Sequence, residues 1–381
     1  MIYCKICLDP STRPRIEFNS NGVCFACSNF INEKKNYNEN NRLRILSEIV
    51  EKFKNKSDKK NYDCILGISG GKDSTRQALW LRDKFNLNPL LVCCSYPPEQ
   101  ITDVGAKNLS NLMDLGFNII VTAPAPNIWR KSVKKSFMLG NYLLGPEIAL
   151  YSSLPQIAIK YNLKLIFWGE SPAIIWNDKK TKSKYGYDGN NLRYSNTLKN
   201  CDIKWMKSFC KDKTKLLPYI YPSKKEFKKH KLQIIYLSWF WKNWTFLNNA
   251  KYSCLNGLKL KTDDASKNGD LYGITAIDDT WVSVNQMIKY LKFGFGRTTD
   301  YLNFELRKGN IDRDEAIKFA TKYDGKCDKK YIKDFCNYIQ ISEKKFYDKL
   351  FKITNKKIFS VKKTKKSFFV KPKFSVGKGL N

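Results

Sequence analysis

Tyr62-Asp63-Cys64-Ile65-Leu66-Gly67-Ile68-Ser69-Gly70-Gly71-Lys72-Asp73-Ser74 is the stretch on which the fold turns. Its first half is an apolar run of strand length, its middle a Gly-Gly turn, and a helical pattern follows over 74–85. Two glycines let backbone N–H groups approach an oxyanion without Cβ interference, and the start of a helix adds partial positive charge. Lys72 can neutralise phosphate charge, Ser74 can donate from the first helical turn, and Asp73 can help hold Mg²⁺. The Gly-x4-Gly-Lys-[Ser/Thr] spacing of a Walker A loop is absent.

Outward from this turn the sequence alternates. Strands are expected at 90–94, 118–122 and 163–168, with helices at 103–115 and 147–161 between them. That rhythm predicts an α/β fold with a parallel sheet covered on both faces. A connecting helix over 40–56 precedes the sheet. Residues 179–229 are polar and irregular, the aromatic-heavy 232–244 stretch reads as helical, and 284–350 reads as successive helices, one starting near Asp312. The expected organisation is a metal ribbon (1–30), a connecting segment (31–60), an α/β nucleotide-binding domain (61–235), a helical C-terminal region (236–355) and a basic tail (356–381).

The chain has 381 residues, is 42% hydrophobic and 14% aromatic, and carries a formal charge of +34. No apolar run reaches membrane-spanning length and the N-terminus lacks a signal-peptide layout, so a cytoplasmic protein with no membrane span is expected. The positive charge is spread along the chain and reads as a solvated basic face; a nucleic-acid surface is the alternative.

Cys4-x2-Cys7 and Cys24-x2-Cys27 stand sixteen residues apart, the spacing of a four-thiolate zinc ribbon. With four sulfurs such a site is closed, so Zn²⁺ is expected to be structural. Cys64, Cys93 and Cys94 fall on expected core strands and read as small buried hydrophobes. Cys201 and Cys210 lie in the irregular region, where a catalytic thiol is the alternative reading. His230 is the single histidine, which argues against histidine-dependent acid–base chemistry.

In its strand-loop-helix setting, Ser69-Gly70-Gly71-Lys72-Asp73-Ser74 resembles the PP-loop ATP pyrophosphatases. The resemblance implies a loop that grips pyrophosphate, transfer of AMP to a substrate oxygen, and an adenosine pocket lined by the second strand near Cys94. Phe167-Trp168-Gly169-Glu170 places a Gly-Glu at the carboxyl end of a strand, where open α/β sheets bind ligands. Lys292-Phe293-Gly294-Phe295-Gly296-Arg297-Thr298-Thr299-Asp300 can bring a guanidinium onto a phosphate or carboxylate, or be a helix-breaking turn with a surface ion pair.

Together with Thr12-Arg13-Pro14, Gly22-Val23-Cys24-Phe25-Ala26-Cys27, Arg307, Arg313-Asp314-Glu315-Ala316-Ile317 and Tyr323-Asp324-Gly325, these pieces resemble the N-acetyl sugar amidotransferases of bacterial surface-glycan synthesis, over residues 1 to about 350. This family includes enzymes that install acetamidino groups on pseudaminic, legionaminic or diacetamido-uronic acids. The resemblance implies ATP-dependent adenylation of an acetamido oxygen and its replacement by ammonia-derived nitrogen. It assigns Lys72 and Asp73 to the phosphates and Mg²⁺, and Glu170, Arg297 and Asp300 to the substrate or to ammonia. The chain departs from the family pattern at Ala173-Ile174-Ile175-Trp176-Asn177 and at Tyr301, where a histidine is expected. No sequence pattern for a glutaminase is visible: His230 has no nucleophile beside it and the chain opens Met1-Ile2. A separate glutaminase or ammonia-supplying subunit, or free ammonium, is therefore expected. The rival reading is a tRNA-modifying PP-loop enzyme of the thiolase type.

Overall fold

The computed structural model describes residues 1–54, 61–169, 171–172, 178–183, 185–195, 198, 201–241, 243–363 and 368–380. The Tyr62–Ile68 run contains strand β1 (Cys64–Ile68). It is flanked by β2 (Pro89–Cys94) and, on that side's edge, β3 (Ile119–Thr122). On its other side lie β4 (Leu165–Trp168) and β5 (Gln233–Tyr236). The order is β3-β2-β1-β4-β5 and every pairing is parallel. The direction of winding reverses between β1 and β4, so their carboxyl ends open a crevice.

Successive strand residues point to opposite faces, and both faces are buried. Ile65, Leu90, Val92, Ile166 and Ile234 belong to one core layer. Cys64, Leu66, Leu91, Cys93, Leu165, Phe167 and Ile235 belong to the other. Each such fully buried aliphatic or phenylalanine contributes about 1.5–3 kcal/mol. The second layer is covered by α2 (Glu39–Phe53), α3 (Lys72–Phe85), α4 (Asp103–Asp114) and helix Phe246–Leu255. The first is covered by α5 (Pro126–Met138), α6 (Leu144–Lys160) and helices Val282–Phe293, Lys329–Tyr338 and Glu343–Ile353. Here Phe137 stacks on Phe346 at 5.1 Å and meets Phe335 edge-on at 5.5 Å.

Several expectations are corrected. The 232–244 stretch is not a helix: Ile234, Ile235 and Tyr236 are buried in β5, beside β4. The aromatic residues after β5 pack sideways instead, Trp239 against Tyr187 at 5.1 Å and Trp241 against Trp80 at 4.2 Å. Helix α5 escaped the sequence reading, although Pro126 sits in its first turn and Ile128, Trp129, Val133 and Phe137 repeat with helical spacing. The connecting segment is two helices, because α1 (Phe25–Asn36) already begins inside the cysteine-rich segment. Within the basic tail, for which no element was read from sequence, Phe359–Lys363 pairs antiparallel with Phe368–Pro372. Asp312 does start a helix, its carboxylate accepting from the Glu315 N–H at 2.8 Å.

Candidate active site

The 69–74 loop sits where β1 turns into α3. Gly70 has φ +73, and a Cβ there would come within 3.0 Å of the Leu109 backbone nitrogen, so glycine is required. Gly71 is the N-cap of α3 and, having no side chain, offers the first amides of the helix no side-chain acceptor of its own. A cavity of about 240 Å³ opens against this helix start, bounded by Ser69, Gly71, Val92, Cys94 and Gly169. These residues fit a polyphosphate nucleotide by a helix start capped by glycine, a close glycine approach and a lysine. Asp73 is fixed by two partners: Lys72 Nζ lies 2.7 Å from Oδ2, and Asn249 Nδ2 donates to Oδ1 at 2.6 Å. Asn249 in turn accepts from Arg76 at 2.7 Å, and Ser253 Oγ donates to the Lys72 carbonyl at 2.6 Å. Helix Phe246–Leu255 thus locks the start of α3. Burial pushes the Cys94 thiol up to about 12, so it lines the cavity as a neutral group.

A larger cavity, about 630 Å³, adjoins the first and shares Lys72, Asp73, Tyr151, Ile274 and Ala276 with it. Arg13, Lys289, Lys292, Arg297 and Asp300 contribute to its wall. The 292–300 block is a helix-to-helix corner. Gly294, at φ +77, ends helix Val282–Phe293, and Gly296 precedes helix Arg297–Lys308. A Cβ on Gly296 would sit 2.4 Å from Asp324 Oδ1. Asp324 accepts from Thr299 N at 3.3 Å and Thr299 Oγ1 at 2.5 Å, capping the second helix from outside. Asp300 is then buried, with 1% of its side chain exposed, and receives Arg13 Nη2 at 2.5 Å, Lys289 Nζ, and Arg297 Nη1 at 3.6 Å. The ion pair is a buried hub and not a surface contact. Tyr301 is also buried; the Thr275 hydroxyl lies between its OH (3.2 Å) and Asp270 (2.9 Å).

Burial pushes Lys289 down to about 8, against the pull of Asp300. Its charge is present below that pH and lost above it, so an anion in the larger cavity is expected to bind less tightly as the pH rises through about 8. Titrations of an anionic sugar acid by calorimetry at pH 7 and pH 9 check this, and Lys289→Met should flatten the difference. Between about 8 and the ordinary lysine value of 10.5 the unfolded chain holds the extra proton, so this group alone makes stability rise with pH across that window.

The sulfurs of Cys4, Cys7, Cys24 and Cys27 all lie within 4.8 Å of one another and all four residues are buried. Tetrahedral Zn–S bonds of about 2.3 Å place sulfurs about 3.8 Å apart; Cys7 and Cys24 Sγ are 3.8 Å apart. The cluster could therefore hold a zinc ion. Four thiolates around Zn²⁺ leave net negative charge, and the Asp9 carboxylate lies 3.6 Å from Cys7 Sγ. The offset comes from N–H groups and from Arg307, which also pairs with Asp9. Ile6 and Cys24 N–H groups point at Cys4 Sγ at 3.4 and 3.3 Å, and Arg307 Nε points at Cys27 Sγ at 3.4 Å. Cys7→Ser is expected to lose bound zinc, read as metal per chain by mass spectrometry against one ion in the unsubstituted protein.

Residues 270–373 match the family described as LPS biosynthesis protein WbpG-like, C-terminal domain. The match supports a sugar-modifying biosynthetic family for this region. A 90-residue stretch is also 34% identical to the uncharacterized protein MJ1599 of Methanocaldococcus jannaschii, covering 23% of this chain and 31% of that protein. The alignment thus spans less than a third of that relative. The WbpG-like region contains the 292–300 corner, Asp324 and the paired strands Phe359–Lys363 and Phe368–Pro372, and so reaches into the basic tail.

The structure brings Lys72, Asp73, Arg297 and Asp300 to one pair of adjoining cavities, with Ser69, Gly71, Ser74 and Cys94 beside the smaller one. Glu170 and residues 173–177 lie outside the described residues. Four contributors were not assigned roles by sequence: Arg13, Lys289, Asn249 and Lys261. Lys261 Nζ donates to the Ala276 and Asp279 carbonyls at 3.0 and 2.9 Å. It thereby pins the 276–279 turn, whose Ala276 lines both cavities. Cys210 is buried and Cys201 partly buried; neither borders these cavities. Among the described residues no helix is long and apolar enough to cross a membrane.

Proposed function

We propose that the chain is an ATP-dependent amidotransferase of bacterial surface-glycan synthesis, acting in the cytoplasm on an N-acetylated sugar. The observation that carries the reading is the junction of two cavities at Lys72 and Asp73. One lies against a glycine loop and a helix start capped by glycine, and the other is lined by cations of the WbpG-like region. ATP fits the smaller, PP-loop side, with Mg²⁺ near Asp73, and the sugar the larger.

An acetamide is a weak electrophile because its nitrogen donates into the carbonyl. In the proposed reaction the acetamido oxygen attacks the α-phosphorus of ATP, and pyrophosphate leaves. Ammonia then adds to the activated carbon, and the C–O bond breaks to release AMP and leave an acetamidino group. Lys72 and the 69–74 amides stabilise the departing pyrophosphate, and Arg297 and the Asp300 hub orient the sugar. Ammonia comes from a separate subunit or from free ammonium. The zinc site is structural.

The test is mass spectrometry of N-acetylated bacterial sugars incubated with the protein, Mg-ATP and ammonium. Replacement of one amide oxygen by NH, with one AMP and one pyrophosphate per product, supports the proposal. AMP release stimulated by tRNA, with no sugar turned over, would move the assignment to an RNA-modifying enzyme.

A further inference from the structure

We infer that Arg13 is a positioning residue through which the metal-loaded cysteine cluster holds the larger cavity in shape. The inference rests on reading the cluster as a metal site, but not on any particular reaction. Arg13 belongs to the cysteine-rich segment, yet its side chain, 7% exposed, lies in the cavity wall. Its Nε donates to Asp9 Oδ1 at 2.6 Å and its Nη2 to Asp300 Oδ1 at 2.5 Å. The guanidinium lies over the Phe295 ring, 4.1 Å from its centroid. Asp9 is held in turn by Asn303 at 2.9 Å and by Arg307 at 3.3 Å, the same arginine that points at Cys27 Sγ.

A continuous path of buried polar contacts therefore runs from sulfur to cavity: Cys27, Arg307, Asp9, Arg13, Asp300. At its far end Asp300 holds Lys289 and Arg297, two of the cavity's cations. Two neighbours of Arg13 tie the same segment to other walls. Thr12 Oγ1 donates to the Phe293 carbonyl at 2.5 Å, and Arg15 reaches both oxygens of Asp178 at 2.7 and 3.0 Å. The segment is thus built into the cavity and not hung beside it.

The chemistry explains why an arginine stands here. Its planar fork can donate to two carboxylates at once, whereas a lysine ammonium is a point charge that cannot hold both in one plane. Without metal the four sulfurs lose the ion that draws them together, and Asp9 loses the fixed surroundings that aim Arg13. Linkage makes the effect reciprocal: whatever orders the cavity also tightens metal retention by the same factor.

Hydrogen exchange on the full chain tests this. Metal content is measured first, then the chain is stripped with a chelator. Exchange of the 294–300 amides should quicken about fivefold or more, while amides of β1 and β2 stay unchanged. Arg13→Lys should keep its metal yet exchange at 294–300 like the stripped chain, with no further response to stripping. Added Zn²⁺ should restore slow exchange to the unsubstituted chain alone. If Arg13→Lys does not fold, Asp9→Asn reads the relay one residue nearer the sulfurs. Asp9 lies 3.6 Å from Cys7 Sγ, so the metal content of this variant is measured in the same way. Once that content equals that of the unsubstituted chain, the same insensitivity is expected. An Arg13→Lys chain that responds to stripping like the unsubstituted one would overturn the relay. So would a 294–300 segment indifferent to metal, or equal quickening in β1 and β2. A chain that neither contains nor takes up zinc would instead overturn the reading of the cluster.

Discussion

Lys72→Ala is expected to lower the rate of AMP and pyrophosphate formation by about a hundredfold to a thousandfold, the range seen when one preorganised charge-stabilising donor is removed. Lys72 is the residue best placed for that effect. It borders both cavities, stands in the first turn of α3, and has only 7% of its side chain exposed. Its ammonium lies 4.9 Å from the Phe246 ring centroid and 5.7 Å from that of Tyr301, which limits the water able to replace it. The substitution should leave the fold in place, because Asp73 keeps its bond from Asn249. A pyrophosphate-release assay beside a urea titration separates the two effects. Full activity in a folded Lys72→Ala chain would remove the glycine loop from the chemistry.

Asp300→Ala should act in the opposite manner, on stability first. Three cations converge on this carboxylate, and the Arg13 side chain is nearly as buried as the carboxylate itself. Removing the anion leaves the buried Arg13 guanidinium facing two further cations without its carboxylate, a loss of about 3–5 kcal/mol. The urea midpoint should fall with an unchanged slope. A midpoint equal to that of the unsubstituted chain would mean that the hub carries no energy. Burial pushes the Asp300 carboxyl up, but Lys289, Arg13 and Arg297 outweigh it and hold it well below the usual value of 3.8. The stability it confers is therefore complete above that value and is lost as the pH falls toward the folded one.

What the sequence made legible was local. The β1-loop-α3 unit is read from contiguous residues, and the cysteine pairs from their spacing. The alternation through β4 follows from short apolar runs separated by helical periods. What stayed hidden depends on distant partners. Arg13 finds Asp300 across 287 positions, Asn303 finds Asp9 across 294, and Asn249 finds Asp73 across 176. No periodicity encodes such pairs. Strand β5 was misread because its four residues run straight into Trp239, Phe240 and Trp241, so a short strand and an aromatic turn together imitate a buried helix. The 292–300 block was recognisable as special, but its glycines explain themselves only once Asp324 is seen against Gly296.

The contact between Arg13 and Asp300 also bears on how the chain is made. Synthesis at about 5–20 residues per second separates the two by roughly 15–60 seconds, since 287 positions lie between them. Throughout that interval the cysteine-rich segment has emerged, while the helix that buries Asp9 and Arg13 does not yet exist. The nascent segment must hold its four thiols together without that helix, and the hub closes only after the ribosome has passed the sheet.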